Sequence, residues 1–175
     1  FTQMYDYTTK IFDVRDTPLL VHQTEEGHDI EPKYYCPIIP MLLVNGAEGM
    51  GVGWSTFIPT YSPVDLVQSI RKYLQDGSLP QTLVPHVKGF TGRINCCLGK
   101  VIYEGIIHRI GMTSKYRITE LPYRKWTQKY KDDLLKKDWV KDVKDESTNT
   151  SVNLVVEVLT PFDDTVNLLD KFKLR

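Results

Sequence analysis

The sequence has no net charge, few cysteines, few histidines and no long apolar run, and each shortage removes a class of protein. Lys and Arg number 22 and Asp and Glu 22 in 175 residues, so no global field draws the chain to a polyanion. Any nucleic-acid contact has to rest on local geometry. The three cysteines are Cys36 and the adjacent pair Cys96 and Cys97, which offer neither an even disulfide framework nor C-x-x-C metal spacing. They suit a reducing compartment. The four histidines, His22, His28, His86 and His108, sit in different segments and form no ligand or triad pattern. No apolar run reaches the roughly 20 residues that a membrane-spanning helix requires. The opening FTQMYDYTTKIFDVRD lacks the basic-then-apolar order of a secretory signal, and Phe1 in mid-pattern is what a piece of a longer chain would show.

What is present is ordinary in bulk, with 41% hydrophobic and 25% charged residues, and long enough for one compact unit or two smaller ones. Residues 1–30 read as loop and short elements around the apolar patch 18–21. The run YYCPIIPMLLV over 34–44 is interrupted by Pro37 and Pro40, which predicts an extended segment. Ser62 as N-cap, Pro63 at the first helical position, Asp65 in capping-box position and Gly77 past the end predict a helix. Its apolar face would be Leu66, Val67, Ile70, Tyr73 and Leu74. After Pro80 and Pro85 the pattern turns to strands over 91–98, 100–110 and 116–121, joined as a meander by turns at Gly99 and 111–114. A helix is expected over 124–137, with Trp126, Tyr130 and Leu134 along one side. A charged loop over 141–149 then precedes a strand that puts Val152, Leu154, Val156 and Val158 on one face. The break between two units falls at about residues 60–88.

The most unusual stretch is NGAEGMGVGWS, where Gly46, Gly49, Gly51 and Gly53 surround Met50. A dinucleotide fingerprint starting at Gly49 or Gly51 would need glycine where Trp54 or Thr56 stands, and no Gly-Lys-Ser/Thr follows for a P-loop. Two readings remain. One is a turn whose glycines take positive φ while Met50 fills a gap in the core. The other is an apolar wedge on a close-approach loop, of the kind that opens a base step from the minor groove. Basic pairs occur at Arg71/Lys72, Arg124/Lys125, Lys129/Lys131 and Lys136/Lys137, and each taken alone reads as a solvated helix face. Trp126 taken alone reads as a core anchor. The acids Asp132, Asp133, Asp163, Asp164, Asp142, Asp145 and Glu146 lie in solvated contexts with no metal-site pattern. No Ser, Thr or Tyr has an activating base beside it in sequence.

Three stretches carry a resemblance. EPKYYCPIIPMLLVNGAEGMGVGWSTFIP closely resembles the segment downstream of the active-site tyrosine in type IIA DNA topoisomerases of the eukaryotic topoisomerase II branch. ELPYRKWTQKY, from Glu120, resembles that branch's ELPxRxWT, and the terminal FKLR resembles its FKL. The resemblance implies an α+β fold: the end of a winged-helix DNA-gate domain over 1–60, a linking helix and connector over 61–88, and part of a mixed α/β tower domain over 89–175. It implies that Met50, where the family usually has isoleucine, intercalates into a bound duplex and bends it, with Gly49 and Gly51 against the DNA. Trp126 would contact a DNA arm, and Arg124 and Lys125 its phosphates.

By the same alignment the nucleophilic tyrosine falls two residues before Phe1, and the metal-binding acidic domain and the ATPase domain lie outside the chain. No catalytic residue, metal or cofactor is therefore expected within it, while the parent enzyme would use Mg²⁺ and ATP. The implied reaction passes one duplex through a transient double-strand break in another. Double-stranded DNA and a second copy in a homodimer are the implied partners, with no membrane. The implied compartment is the nucleus for a cellular enzyme, or the host cell for the copy of a large DNA virus. The rival is a non-enzymatic DNA-bending or protein-interaction module with the same fold.

Overall fold

The structure, a computed structural model, describes residues 3–78, 83–97 and 100–175. The chain is an α+β protein that divides into two compact units, Phe1–His86 and Val87–Arg175. Among the described residues no helix is long and apolar enough to cross a membrane. The expected turn at Gly99 and the break at Pro80 lie outside the described residues.

The first unit is built from short helices and two hairpins. Helix α1 (Thr8–Ile11) and a 3-10 turn (Val14–Leu19) precede a hairpin of β1 (His22–Glu25) and β2 (His28–Pro32). Its connection takes Glu26 and Gly27 to φ of 51° and 82°, the doubly left-handed geometry that suits the twist of a two-residue hairpin. The extended segment expected over 34–44 is corrected at its end, where Met41–Asn45 closes into α2. Pro40 occupies the N-cap at φ −68°, where its missing N–H leaves no helical bond unmade, and Gly46 at φ 68° stops the turn. Strands β3 (Ala47–Gly51) and β4 (Trp54–Ile58) form the second hairpin.

Helix α3 (Pro63–Asp76) follows, with Ser62 extended at its N-cap and the left-handed Gly77 donating its N–H to Tyr73 O at 2.9 Å. The Ser62 side chain makes no capping bond, so the expected capping box does not close. Of the apolar stripe only Leu66 is buried, and Tyr73 and Leu74 face outward.

The second unit holds a four-stranded antiparallel sheet in the order β7-β8-β10-β9. Its strands are β7 (Ile106–Arg109), β8 (Lys115–Glu120), β9 (Val140–Asp145) and β10 (Leu154–Val158). A separate hairpin pairs β5 (Arg93–Cys97) with β6 (Lys100–Glu104). The single strand expected over 100–110 therefore breaks at Gly105, and the meander with it. A Cβ at Gly105 would stand 2.4 Å from the Glu120 carbonyl oxygen, and its N–H is donated to Leu174 O at 2.8 Å. Of the charged loop expected over 141–149, residues 146–149 remain loop and 141–145 instead belong to the edge strand β9. Its Lys and Asp residues have low strand propensity and read locally as loop, but they are the side chains a sheet edge carries to refuse further pairing.

The core lies in this second unit. Strand β10 buries Leu154, Val156 and Val158 in alternation, β8 buries Tyr116 and Ile118, and the C-terminal stretch adds Phe172 and Leu174. Each such side chain contributes about 1.5–3 kcal/mol by leaving water. Helices α4 (Thr127–Leu135) and α5 (Leu168–Lys171) complete the layer, α4 through Tyr130 and Leu134. The Tyr130 hydroxyl donates to Phe172 O at 2.8 Å, and burial pushes its pKa above the ordinary tyrosine value. That bond fixes α4 against the C-terminal segment, and the surface between them becomes a cleft.

Candidate nucleic-acid interface

The glycine loop read from the sequence is a two-strand ribbon. Its register pairs Ala47 with Ile58, Glu48 with Phe57, Gly49 with Thr56, Met50 with Ser55 and Gly51 with Trp54, leaving Val52 and Gly53 as the turn. Because directly opposed residues share a face, Met50 lies with Glu48, Ser55 and Phe57, while Gly49 and Gly51 lie on the other face with Trp54 and Thr56. Met50 is 89% exposed, so it fills no gap in the core.

The four glycines separate into two kinds. Gly46 and Gly53 adopt φ of 68° and 77°, and a Cβ at Gly46 would lie 2.8 Å from the Ile58 carbonyl oxygen. The fold requires both. Gly49 and Gly51 are different: neither has a positive φ, a Cβ at Gly49 would meet nothing within 4 Å, and one at Gly51 would meet only Trp54 O at 3.9 Å. Mid-strand glycine costs roughly 0.5–1 kcal/mol relative to alanine. Nothing among the described residues repays that cost, and the β3 side of this strand face is left bare.

The other predicted residues converge in the second unit. Lys125 N–H closes a turn onto Pro122 O at 3.0 Å, with Arg124 at its third position held at φ 70°. That place normally goes to glycine or asparagine. Trp126 is the N-cap of α4 and 79% exposed, which overturns the core-anchor reading. The helix begins after it, and the buried stripe is Tyr130 and Leu134 alone. The expected helix over 124–137 shortens to Thr127–Leu135 for the same reason.

Arg124, Lys125 and Trp126 line a cleft of about 630 Å³ whose walls also carry Lys129, Lys136, Lys137, Lys171, Lys173 and Arg175, against a single lining carboxylate, Asp133. Asp133 pairs with Lys136 at 3.2 Å, and that bond, with the charges of Lys136, Lys129 and Lys137, holds its carboxyl below the usual range. Arg175 pairs with Asp170 outside the cleft lining. Lys125 donates to Lys173 O at 2.5 Å and its ammonium stands 5.4 Å from the centre of the Tyr130 ring. Burial, and secondly the charge of Lys173, push its pKa below the ordinary lysine value. Like charges this crowded favour any anion that enters.

Lys171, Lys173 and Arg175 went unassigned in the sequence, although a signal was there: in KFKLR the cations alternate with Phe172 and Leu174, both buried. Lys129, Lys136 and Lys137 were visible only as solvated pairs, because their convergence with the C-terminal cations depends on the Tyr130–Phe172 bond.

Lys173 follows Phe172, the C-cap of α5, at φ 53°, and the next residue's N–H, that of Leu174, returns to Leu169 O at 2.7 Å. This is the place where a helix C-terminus prefers glycine. Lys173→Gly should therefore stabilise the protein by up to about 1 kcal/mol in thermal unfolding, while Lys173→Ala should not, because alanine carries the same left-handed strain. A loss of stability in the glycine variant would show that the lysine serves the fold.

The family model for the A-subunits of DNA gyrase and topoisomerase IV matches residues 1–175. DNA topoisomerase 2 of Bombyx mori is 41% identical over 167 residues, covering 91% of this chain and 11% of that protein. DNA topoisomerase 2 of Plasmodium falciparum is 46% identical over 134 residues, 75% of this chain and 9% of that protein. Among solved structures, the DNA-binding, cleavage and re-ligation domain of Plasmodium falciparum topoisomerase II superposes with a TM-score of 0.81 at 36% identity, over 99% of this chain and 25% of that one. The chain thus spans a small part of its relatives' length, and over that part it belongs to the type IIA DNA topoisomerase family, in the eukaryotic topoisomerase II branch, as a fragment of the DNA gate.

Proposed function

We propose that this segment serves an ATP-dependent type II topoisomerase that passes one duplex through a transient double-strand break in another, and that its own share is to bind and bend the duplex to be cut. The observation that carries this is Met50, 89% exposed on a hairpin whose neighbouring Gly49 and Gly51 answer no need of the fold. An unbranched apolar side chain entering a base step unstacks it at a cost of a few kcal/mol, offset when the bent duplex reaches more protein surface. The bare strand face lets phosphate and sugar lie close. Residues 1–60 act as the end of a winged-helix domain, 61–88 as linker and 89–175 as the tower. In the tower the exposed Trp126 packs on a DNA arm while Arg124 and Lys125 hold its phosphates, helped by the other cations of the cleft.

The cleaving tyrosine, the ATPase and the Mg²⁺ site belong to the rest of the full-length homodimer. Among the described residues no group of three or more His, Cys, Asp or Glu is placed to hold a metal ion. The compartment is the nucleus for a cellular enzyme and the host cell for a viral one.

In the full-length protein, Met50→Ala should keep duplex affinity within roughly threefold, because phosphate contacts dominate it, yet lower the bend and with it cleavage. Fluorescence transfer between the ends of a short duplex reads the bend directly, and a wild-type bend in the variant would sink the wedge. Trp126→Ala should weaken binding by about tenfold only on duplexes whose arms extend well past the bent centre. An equal loss on short and long duplexes would reject the arm contact.

A further inference from the structure

We infer that Trp54 is a second DNA contact, packing its indole against the deoxyribose wall of the minor groove beside the step that Met50 opens. The inference rests on the proposal that Met50 enters a duplex, and it starts from the register. Trp54 is paired with Gly51 and Met50 with Ser55, so the indole and the methionine project from opposite faces of one ribbon. A side chain on the far face cannot enter the same base step. It faces whatever flanks that step.

The far face is built to let a flat surface approach. Trp54 is 85% exposed at the turn end of β4, and the strand opposite presents Gly51 and then Gly49. Side chains on a strand face occupy roughly 5 Å, half the spacing of packed sheets, and two successive glycines remove that layer along β3, leaving Trp54 and Thr56 standing on the β4 side of the face. The thinned ribbon suits a minor groove about 6 Å wide in relaxed B-DNA and wider where an apolar wedge kinks it. The walls of that groove are deoxyribose rings, with base acceptors on the floor and phosphates at the rim. An indole offers an apolar plane for the sugar and one N–H donor for an acceptor beside it.

Wedge and indole divide the work. Met50 opens the step, and Trp54 braces the ribbon against the opposite wall so that the wedge does not slip out. The first sets how far the DNA bends and the second how long it stays bent.

The test uses the full-length protein and a short duplex with fluorophores at its ends, followed one molecule at a time. Met50→Ala should reduce the transfer efficiency of the bound state. Trp54→Ala should reach the wild-type efficiency but shorten its dwell time about tenfold, and Trp54→Phe should recover most of that loss. A wild-type dwell time in Trp54→Ala, beside a reduced bend in Met50→Ala, overturns this inference and leaves the wedge standing. A wild-type bend in Met50→Ala overturns the wedge itself. Acrylamide quenching of the DNA-free protein supplies a further check. If wild type and Trp54→Phe show the same accessible fraction of tryptophan emission, another part of the full-length chain covers Trp54 and the inference fails.

Discussion

The antiparallel ladder between Ala47–Gly51 and Trp54–Ile58 is the constraint on which the rest depends. Backbone pairing fixes a period of two, and that period alone puts Met50 on one face and both unneeded glycines on the other. A slip of one residue would exchange the two faces. The register is held at its base by Gly46, whose left-handed backbone and contact with the Ile58 carbonyl admit no side chain, and at its tip by the left-handed Gly53. The glycines that the fold needs thus lock the hairpin, and the glycines it does not need define a bare surface. That division turns a glycine-rich stretch into a directional device.

In the second unit one buried bond has the corresponding role. Tyr130 reaches Phe172 through its hydroxyl, and the aromatic packing of Phe172 against Tyr116 and Trp139 anchors the C-terminal stretch in the core. With Phe172 and Leu174 facing inward, Lys171, Lys173 and Arg175 turn outward toward the cations of α4 and the Pro122–Lys125 turn. Lys125 and Lys173 are close enough that one ammonium feels the other's charge. The left-handed backbone at Arg124 and Lys173 adds local strain of about 1–2 kcal/mol each. Strain and charge crowding thus coincide in one cleft.

Much of this was legible in the chain itself. The Ser62-Pro63 start and Gly77 stop of α3 are local signals and mark its ends correctly, although the Ser62 side chain stays unbonded. The alternation of Leu154, Val156 and Val158 declares β10 without help from neighbours. What escaped was whatever depends on distant partners. Strand β9 reads as a charged loop because its pairing with β10, rather than its own propensity, makes it a strand. The break at Gly105 is set by Glu120 and Leu174, and the exposure of Trp126 by where α4 begins. The cationic cleft joins residues from 124 to 175 through tertiary packing, which no short window contains. At the hairpin, sequence brought Gly49, Met50 and Gly51 together but could not say which glycines the backbone required.

On the proposed function, Gly49 is bare so that DNA can lie against the strand. Gly49→Val in the full-length protein tests it most directly, because valine favours the strand conformation and its Cβ would meet nothing within 4 Å among the described residues. Thermal unfolding should show stability unchanged or raised by about 0.5–1 kcal/mol. End-to-end fluorescence transfer on a short bound duplex should show the bend lost. A variant that is equally stable and bends DNA as the wild type does would contradict the central claim.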